Sequence, residues 1–346
     1  MISIEELTAF GSAVLQRHGV PAADADLVSA SLVTADAWGH ASHGMLRLGW
    51  YIARLDSGVM HAVTELSTIA DLGALVVVDG NDGIGQIITD RACTLAVERA
   101  KLHGVGVVTV RNSNHFGTAA YWTRRMAEAG TVGMLFTNGS PAMAPWGGRE
   151  KTVGANPWSV ASPGGTHDAV VLDIAGTNVA RGKIYSALNK NQPIPNTWAI
   201  DVDGVPTTDP QRAIDGILMP VGGHKGYGIS FMMDILAGVL TGSQFATGVK
   251  GPYIPDAKSG CGHLVIAIDI EAAIGSETFD TRIDRLIDIT KSVPLADGVE
   301  EIFYPGEIES RAERVAQNSG ILLADKTLHE LKALADACGV SWGPST

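Results

Sequence analysis

The chain has 346 residues, of which 45% are hydrophobic and 18% charged, a composition typical of a folded enzyme with a sizeable core. The net charge of −12 and the lack of any Lys/Arg run exclude partners that bind a basic patch, namely nucleic acids and anionic membrane surfaces. Because Cys93, Cys261 and Cys338 are far apart, without disulfide or zinc-site spacing, and no segment is typical of an export signal or membrane span, we expect a cytoplasmic protein.

The predicted elements begin with helices. Ser3-x-x-Glu6 is a capping box that opens the first helix, the second is expected from about Ala22 to Trp38, and the third from Met45 to Leu55. The last forty residues return to a helical pattern, with Leu328, Leu331 and Leu334 on one face. We therefore expect the carboxyl-terminal helix to pack back on the amino-terminal ones.

From residue 74 strands and helices alternate, which predicts an α/β domain. Short apolar runs predict strands at 75–78, 105–110, 132–137, 158–161, 169–174 and 264–269, and helical patterns predict helices at 86–103, 118–129 and 227–240. Residues 199–205, with Asp203-Gly204, predict a small hairpin.

The sequence does not contain a dinucleotide-binding fingerprint of the Rossmann type. Gly83-Ile84-Gly85 lies between a predicted strand and a predicted helix, but the third glycine of G-x-G-x-x-G is replaced by Ile88. The segment is better interpreted as a turn that ends the strand and begins the helix.

Two histidine-containing turns are candidates for chemistry. In the first, Gly39 to Arg47, His40 and His43 are three residues apart, and Arg47 follows His43 by about one turn. One hypothesis is a metal-dependent hydrolase that uses both histidines and a distant carboxylate. The alternative is acid/base chemistry, with the planar guanidinium of Arg47 as a carboxylate clamp.

The second turn, Asn112 to Gly117, directly follows a buried strand, where open α/β sheets place ligand-contacting loops. His115 is therefore a second candidate acid or base. Loops near Ser140 contain glycines, a hydroxyl and an arginine that can bind a pyrophosphate, and Lys225 begins a helix whose positive end favours an anion.

Taken in order, these blocks resemble the malate/L-lactate dehydrogenase family of the non-Rossmann type, whose members include ureidoglycolate dehydrogenase, 2,3-diketogulonate reductase and Δ1-piperideine-2-carboxylate reductase. The similarity covers nearly the whole chain. It rests on Gly39-x-x-Ser42-His43-Gly44-x-x-Arg47, Asn112-Ser113-Asn114-His115-Phe116-Gly117, Thr137-Asn138, Gly147-Gly148, Asn156-Pro157, Ala180-Arg181-Gly182-Lys183, Gly223-His224-Lys225-Gly226-Tyr227-Gly228 and Pro305-Gly306-Glu307. Two departures are His40-Ala41, and Gly176-Thr177-Asn178 after Asp173-Ile174-Ala175.

The resemblance implies a homodimeric oxidoreductase that uses NAD or NADP and interconverts a small 2-hydroxy or 2-amino acid with its 2-oxo or 2-imino form. It implies a helical domain of residues 1–73 and 275–346, and a mixed α/β cofactor-binding domain of residues 74–274. The substrate site would contain Ser42, His43, Arg47 and His115. The cofactor site would contain Ser140, Asp173, Ile174, Ala175, Lys225, Pro305, Gly306 and Glu307.

Hydride transfer to the substrate C2 requires a proton donor for its oxygen or nitrogen, and a histidine suits that task. The sequence leaves open whether His43 or His115 is the acid/base, with Ser42 as hydrogen-bond partner. Asp173 is a candidate to orient a histidine or to bind the cofactor, for which NAD is the expected form. A third hypothesis, a dinucleotide-binding protein without activity, is disfavoured by the intact His43, Arg47 and His115.

Overall fold

The computed structural model describes residues 1–343, which form helices at both chain ends and a mixed sheet between them. The helices are α1 (Ile4–Arg17), α2 (Ala22–Ala37), α3 (Leu48–Asp56), α4 (Gly85–His103), α5 (Ala119–Glu128), α6 (Arg181–Asn189), α7 (Pro210–Asp215), α8 (His224–Asp234), α9 (Ile270–Ile274), α10 (Ser276–Lys291), α11 (Glu307–Ser319) and α12 (Asp325–Cys338). None of these helices is both long and apolar enough to cross a membrane.

The strands are β1 (Ser67–Asp71), β2 (Leu75–Asp79), β3 (Val105–Ser113), β4 (Thr131–Thr137), β5 (Pro141–Met143), β6 (Val153–Gly154), β7 (Trp158–Ser162), β8 (Val170–Ile174), β9 (Ala199–Ile200), β10 (Ile217–Leu218) and β11 (Cys261–Asp269). Seven of them form one sheet in the order β1-β2-β3-β11-β4-β7-β8, while β5 pairs with β6 and β9 with β10.

The sheet is mixed, and its pairing decides where loops meet. Strand β2 is parallel to β3, β3 and β4 are each antiparallel to β11, and β7 is antiparallel to both β4 and β8. It follows that β2, β3, β4 and β8 all run in the same direction. Their carboxyl ends lie at one edge of the sheet, where the loops that follow them can form a common site.

Two main hydrophobic cores hold the fold. One joins α1, α2 and α3 to the carboxyl-terminal segment, with Leu7, Leu32 and Leu331 among its buried residues, so the packing of α12 on the amino-terminal helices is confirmed. The other lies between the sheet and helices α4 and α5, and contains Val108 and the fully buried Trp122. The capping box at Ser3 and Glu6 is also confirmed, since each side chain bonds the other residue's backbone N–H.

Two local predictions differ from the structure. The helix expected over 227–240 begins at His224 and changes at Ile235 into one π-helical turn that ends at Val239. The hairpin expected over 199–205 is reduced to a turn closed by a single Ile200–Pro206 bridge, because β9 pairs with β10 instead. In both places tertiary contacts override the local pattern.

Candidate active site

The turn before α3 presents the first group of predicted site residues. Two short 3₁₀ turns, Ala41–His43 and Met45–Arg47, follow the second helix. The carboxylate of Asp36 fixes them by accepting the Met45 N–H at 2.7 Å, and a side chain at Gly44 would collide with that carboxylate. Burial raises the pKa of Asp36 to about 7, although the Met45 N–H acts to lower it.

Arg47 is held with its guanidinium fork available. Its Nε donates to the Ser42 carbonyl oxygen at 2.6 Å, and the guanidinium lies 3.8 Å from the centroid of the Trp50 ring. Neither terminal nitrogen has a hydrogen-bond partner within residues 1–343. Because a guanidinium matches a carboxylate with two parallel N–H donors, this arrangement suits a substrate carboxylate.

His115 lies in the loop after β3, at the common carboxyl edge of the sheet. Its Nδ1 is 2.7 Å from the Tyr51 hydroxyl and accepts the Gly117 N–H at 3.3 Å. A backbone N–H can only donate, so the neutral ring carries its hydrogen on Nε2 in this geometry. In the described part of the chain Nε2 has no protein partner.

His43 and His115 stack on each other, although they come from different elements. Their ring centroids are 5.8 Å apart with an interplanar angle of 18°, and the Nδ1 of His43 is 2.9 Å from the Ser42 hydroxyl. Burial, then the positive charge of Arg47, lowers the pKa of His43 to about 4. Burial and the neighbouring His43 and Arg47 hold the pKa of His115 well below its usual range. Both imidazoles are therefore neutral at pH 7.

A third histidine, His263, is fully buried and packs against the His115 loop. His263 on β11 bonds Thr137 at 2.8 Å through Nδ1 and Ser113 at 2.6 Å through Nε2. The Phe116 ring packs edge-on against it, with centroids 4.8 Å apart. Because burial lowers the pKa of His263 to about 3, this network carries no charge and links β3, β11 and β4.

Asp173, near the end of β8, contacts the helix that follows the His115 loop. Its Oδ2 accepts the Ala120 N–H at 2.8 Å and the Thr118 hydroxyl at 3.1 Å. Burial raises its pKa, while these two hydrogen bonds oppose that shift. No histidine nitrogen bonds this carboxylate among residues 1–343, so Asp173 caps the start of α5 and ties it to the sheet edge.

The other predicted cofactor residues surround the same edge. Ser140 follows β4 and precedes the β5–β6 pair, against which α8 packs, so Lys225 near the start of α8 is brought to the same region. Ile174, the last residue of β8, and Ala175, which follows it, have exposed side chains. Beyond them, Gly176 has no room for a side chain because Ser230 faces it.

The segment of Pro305 to Glu307 lies beside β8, since the Pro305 carbonyl oxygen accepts the Val171 N–H at 2.9 Å. Gly306 has a φ of 92°, which favours glycine, and opens α11. The buried carboxylate of Glu307 binds Lys291 at 2.7 Å and Arg311 at 2.5 Å. That carboxylate is therefore committed to intramolecular ion pairs.

This edge fits a nicotinamide dinucleotide in its polar groups. The hydroxyl of Ser230 is buried without a hydrogen-bond partner in the described residues. This edge also supplies donors of the kind that bind phosphate and ribose oxygens. They are the backbone at Gly139 and Gly176, which has no side chains, the Ser140 hydroxyl and the Lys225 ammonium.

Two residues at the site were not anticipated from the sequence. Tyr51 contacts His115, and Trp50 stacks on Arg47. The available signal was their spacing: Tyr51 follows Arg47 by four positions, which places both on one helix face.

Comparisons with known proteins identify the family of the chain. The profile of the malate/L-lactate dehydrogenase family matches residues 2–332. L-sulfolactate dehydrogenase of Methanocaldococcus jannaschii is 38% identical over 95% of this chain and 94% of its own, and its solved structure superposes with a TM-score of 0.94 over 99% and 98% of the two chains.

Two further relatives carry a cofactor in their names. The (2R)-3-sulfolactate dehydrogenase (NADP(+)) of Chromohalobacter salexigens is 36% identical over 78% of this chain and 81% of its own. The ureidoglycolate dehydrogenase (NAD(+)) of Escherichia coli is 32% identical over 90% and 89%.

The metal-dependent hydrolase hypothesis is not supported by these findings. The matching family and relatives are dehydrogenases. In addition, His40 and His43 turn to different partners: the Nε2 of His40 lies 3.4 Å from the Glu309 carboxylate, whereas His43 bonds Ser42.

Proposed function

The chain belongs to the malate/L-lactate dehydrogenase family and is an NAD(P)-dependent dehydrogenase of the 2-hydroxy acid type, and from this premise we propose how its residues divide the reaction. Arg47 binds the substrate carboxylate, and His115 exchanges the proton of the C2 oxygen or imino nitrogen. Ser42 and His43 complete the wall of the substrate site. The observation that carries this proposal is the stacked, neutral histidine pair beside a guanidinium with two free nitrogens.

His115 is proposed as the acid/base rather than His43. Its Nδ1 contacts a phenol hydroxyl, which can donate to a neutral imidazole and accept from a protonated one. When bound, the cofactor supplies or accepts the hydride at the substrate C2. In reduction, a bound carboxylate raises the pKa of His115, the ring takes a proton from solvent, and Nε2 delivers it to the substrate oxygen.

His43 has a supporting role in this scheme. Its stacked ring covers one face of His115 and excludes water from that side. The Ser42 hydroxyl at 2.9 Å orients the His43 ring.

We propose that the cofactor is held by Ser140 and by the backbone of Asp173, Ile174 and Ala175. Lys225 supplies a positive charge, and Pro305 to Glu307 close the far side. NAD is the proposed form, and the titration with NADH and NADPH described below tests that choice.

The proposed assembly is a cytoplasmic homodimer. Exposed apolar side chains are concentrated on α8 and on α10 and the segment after it, a distribution that favours burial against a second copy; they include Phe231, Met232, Leu286, Ile289 and Leu295. The free thiols of Cys93, Cys261 and Cys338 fit a reducing compartment.

The test is a titration with NADH and NADPH followed by fluorescence, and then nicotinamide oxidation with oxaloacetate, 3-sulfopyruvate, pyruvate and cyclic 2-imino acids. His115→Asn is expected to lower the single-turnover rate by about 10²- to 10⁴-fold, the usual contribution of general acid catalysis, and to leave cofactor binding intact. His43→Asn should cost less, and His329→Asn, on the exposed face of α12, should cost nothing. Equal losses for the two site variants would contradict the assignment of His115.

A further inference from the structure

Gln86 is a buried side chain near the proposed acid/base that the reaction described above does not use. It is the second residue of α4 and has no exposed surface. Neither its amide nitrogen nor its amide oxygen has a hydrogen-bond partner within residues 1–343. Because an unsatisfied buried amide is costly and rare, its retention at this position requires a reason.

The start of α4 is packed directly against the His115 loop. A side chain on Gly85 would collide with the carbonyl oxygens of Asn114 and His115, so the helix approaches the loop as closely as a glycine permits. On the other side, the Tyr51 hydroxyl contacts Nδ1 of His115 at 2.7 Å. Gln86 is thus next to a helix end that touches the histidine.

The amide of Gln86 is close to the Tyr51 phenol but does not form a complete hydrogen bond with it. The amide is near enough to lower the pKa of the phenol, against the larger effect of burial, which raises that pKa. Yet the two groups do not meet the distance and angle of a formed bond.

Resting on the proposed role of His115, we propose that Gln86 is a positioning residue that acts on His115 through Tyr51. When His115 is neutral, Tyr51 donates to Nδ1, and the Gln86 N–H donates to the phenol oxygen. When His115 is protonated, Nδ1–H donates to the phenol oxygen, and Tyr51 donates its own hydrogen to the Gln86 carbonyl oxygen. A carboxamide serves both states because it carries a donor and an acceptor.

The proton balance of the reduction then closes. His115, whose Nε2 already carries a hydrogen, gains one proton from solvent at Nδ1, so that Nδ1–H is directed at Tyr51, and delivers the Nε2 proton to the substrate oxygen as the hydride reaches C2. The ring is left neutral with its hydrogen on Nδ1, and returns to the other tautomer by exchange with solvent. Tyr51 remains a neutral phenol throughout, as its buried position requires.

The first test compares Gln86→Met, which keeps the length of the side chain, with Thr89→Val. Thr89 lies one turn further along α4, is equally buried and bonds only the Gly85 carbonyl oxygen, so its variant controls for disturbance of the helix. Gln86→Met is expected to slow single-turnover reduction about 10-fold, the loss of one hydrogen bond in a charged network, with unchanged NADH binding. Thr89→Val should behave as wild type.

A double-mutant cycle distinguishes an effect of Gln86 that acts through Tyr51 from an independent effect of Gln86. In the Tyr51→Phe background, Gln86→Met is expected to have no further effect, because the phenol that transmits it is gone. Equal losses in both backgrounds would overturn the proposal, as would a wild-type rate for Gln86→Met.

A readout without turnover keeps this inference separate from the proposed function. ¹⁵N NMR of His115, assigned with His115→Asn, reports its tautomer and pKa in the field of His43, Arg47, Arg54 and His263. Gln86→Met should lower that pKa, since the protonated ring loses support, whereas Gln86→Glu should raise it by adding a negative charge. Shifts in the same direction for both variants would refute the mechanism, whatever the activity with 2-oxo acids proves to be.

Discussion

Replacing Arg47 by lysine tests the carboxylate clamp, because the charge is retained while the fork and the stacking are lost. The guanidinium uses Nε for the Ser42 carbonyl and its flat face for Trp50, which leaves two terminal nitrogens for the substrate. Lysine would lose one charge-assisted hydrogen bond, about 1.5–3 kcal/mol, and the cation–π contact, about 0.5–1 kcal/mol. Together these predict that kcat/KM falls by roughly 30- to 1,000-fold.

The assay compares the preferred 2-oxo acid with its 2-oxo amide, which has no carboxylate. The loss on Arg47→Lys should appear with the acid and largely vanish with the amide. Trp50→Leu, which removes only the stacking, should cause a smaller loss that is also specific for the acid. If Arg47→Lys damages turnover of the acid and the amide equally, Arg47 holds the turn together and does not bind the carboxylate.

Three further variants test the supports of the site. Because burial raises the folded-state pKa of Asp36 from 3.8 to about 7, the stability of the wild type relative to Asp36→Asn should fall as pH rises from about 4 to 7, by roughly 4 kcal/mol at most; urea unfolding of both proteins at pH 5 and 8 measures that difference, and a difference that is equal at the two pH values would contradict the raised pKa. Gly85→Ala should displace the His115 carbonyl and lower kcat about 100-fold while cofactor binding persists. An unchanged kcat would show that α4 can move to accommodate the methyl group without disturbing the His115 loop. Asp173→Ala should cost about 1 kcal/mol of stability by calorimetry through loss of the α5 cap, and an unchanged Tm would show that the cap contributes nothing.

Local patterns in the sequence were sufficient for most of the fold. The capping box at Ser3 and the apolar runs of β2, β3 and β4 each specify their element without help from distant residues. The π-helical turn after Asp234 could not be read from the sequence. Its cause is tertiary, since Gly238 packs directly on the Asn138 amide and the Gln244 carbonyl oxygen.

The candidate site, like the fold, was only partly predictable from the sequence. His43, Arg47 and His115 lie in conspicuous glycine- or asparagine-rich turns, so they could be selected as candidates from the sequence alone. The stacking of the two histidines joins segments about seventy residues apart in the sequence, and no local pattern could predict it. Gln86 resembles any polar residue in the first turn of a helix until the His115 loop is placed against it.

The Gly83-Ile84-Gly85 turn, which is only a partial match to a phosphate-binding fingerprint, has a different use in this fold. In a Rossmann domain such glycines let a pyrophosphate approach the start of a helix. Here the space beside Gly85 is filled by the backbone of Asn114 and His115, so the positive end of α4 faces a histidine loop instead of a phosphate. A positive helix end disfavours a nearby imidazolium, which acts in the same direction as the burial that holds the pKa of His115 below its usual range. In the proposed mechanism Gly85 therefore helps to tune the acid/base, and the proposed dinucleotide site lies at the loops after β4 and β8.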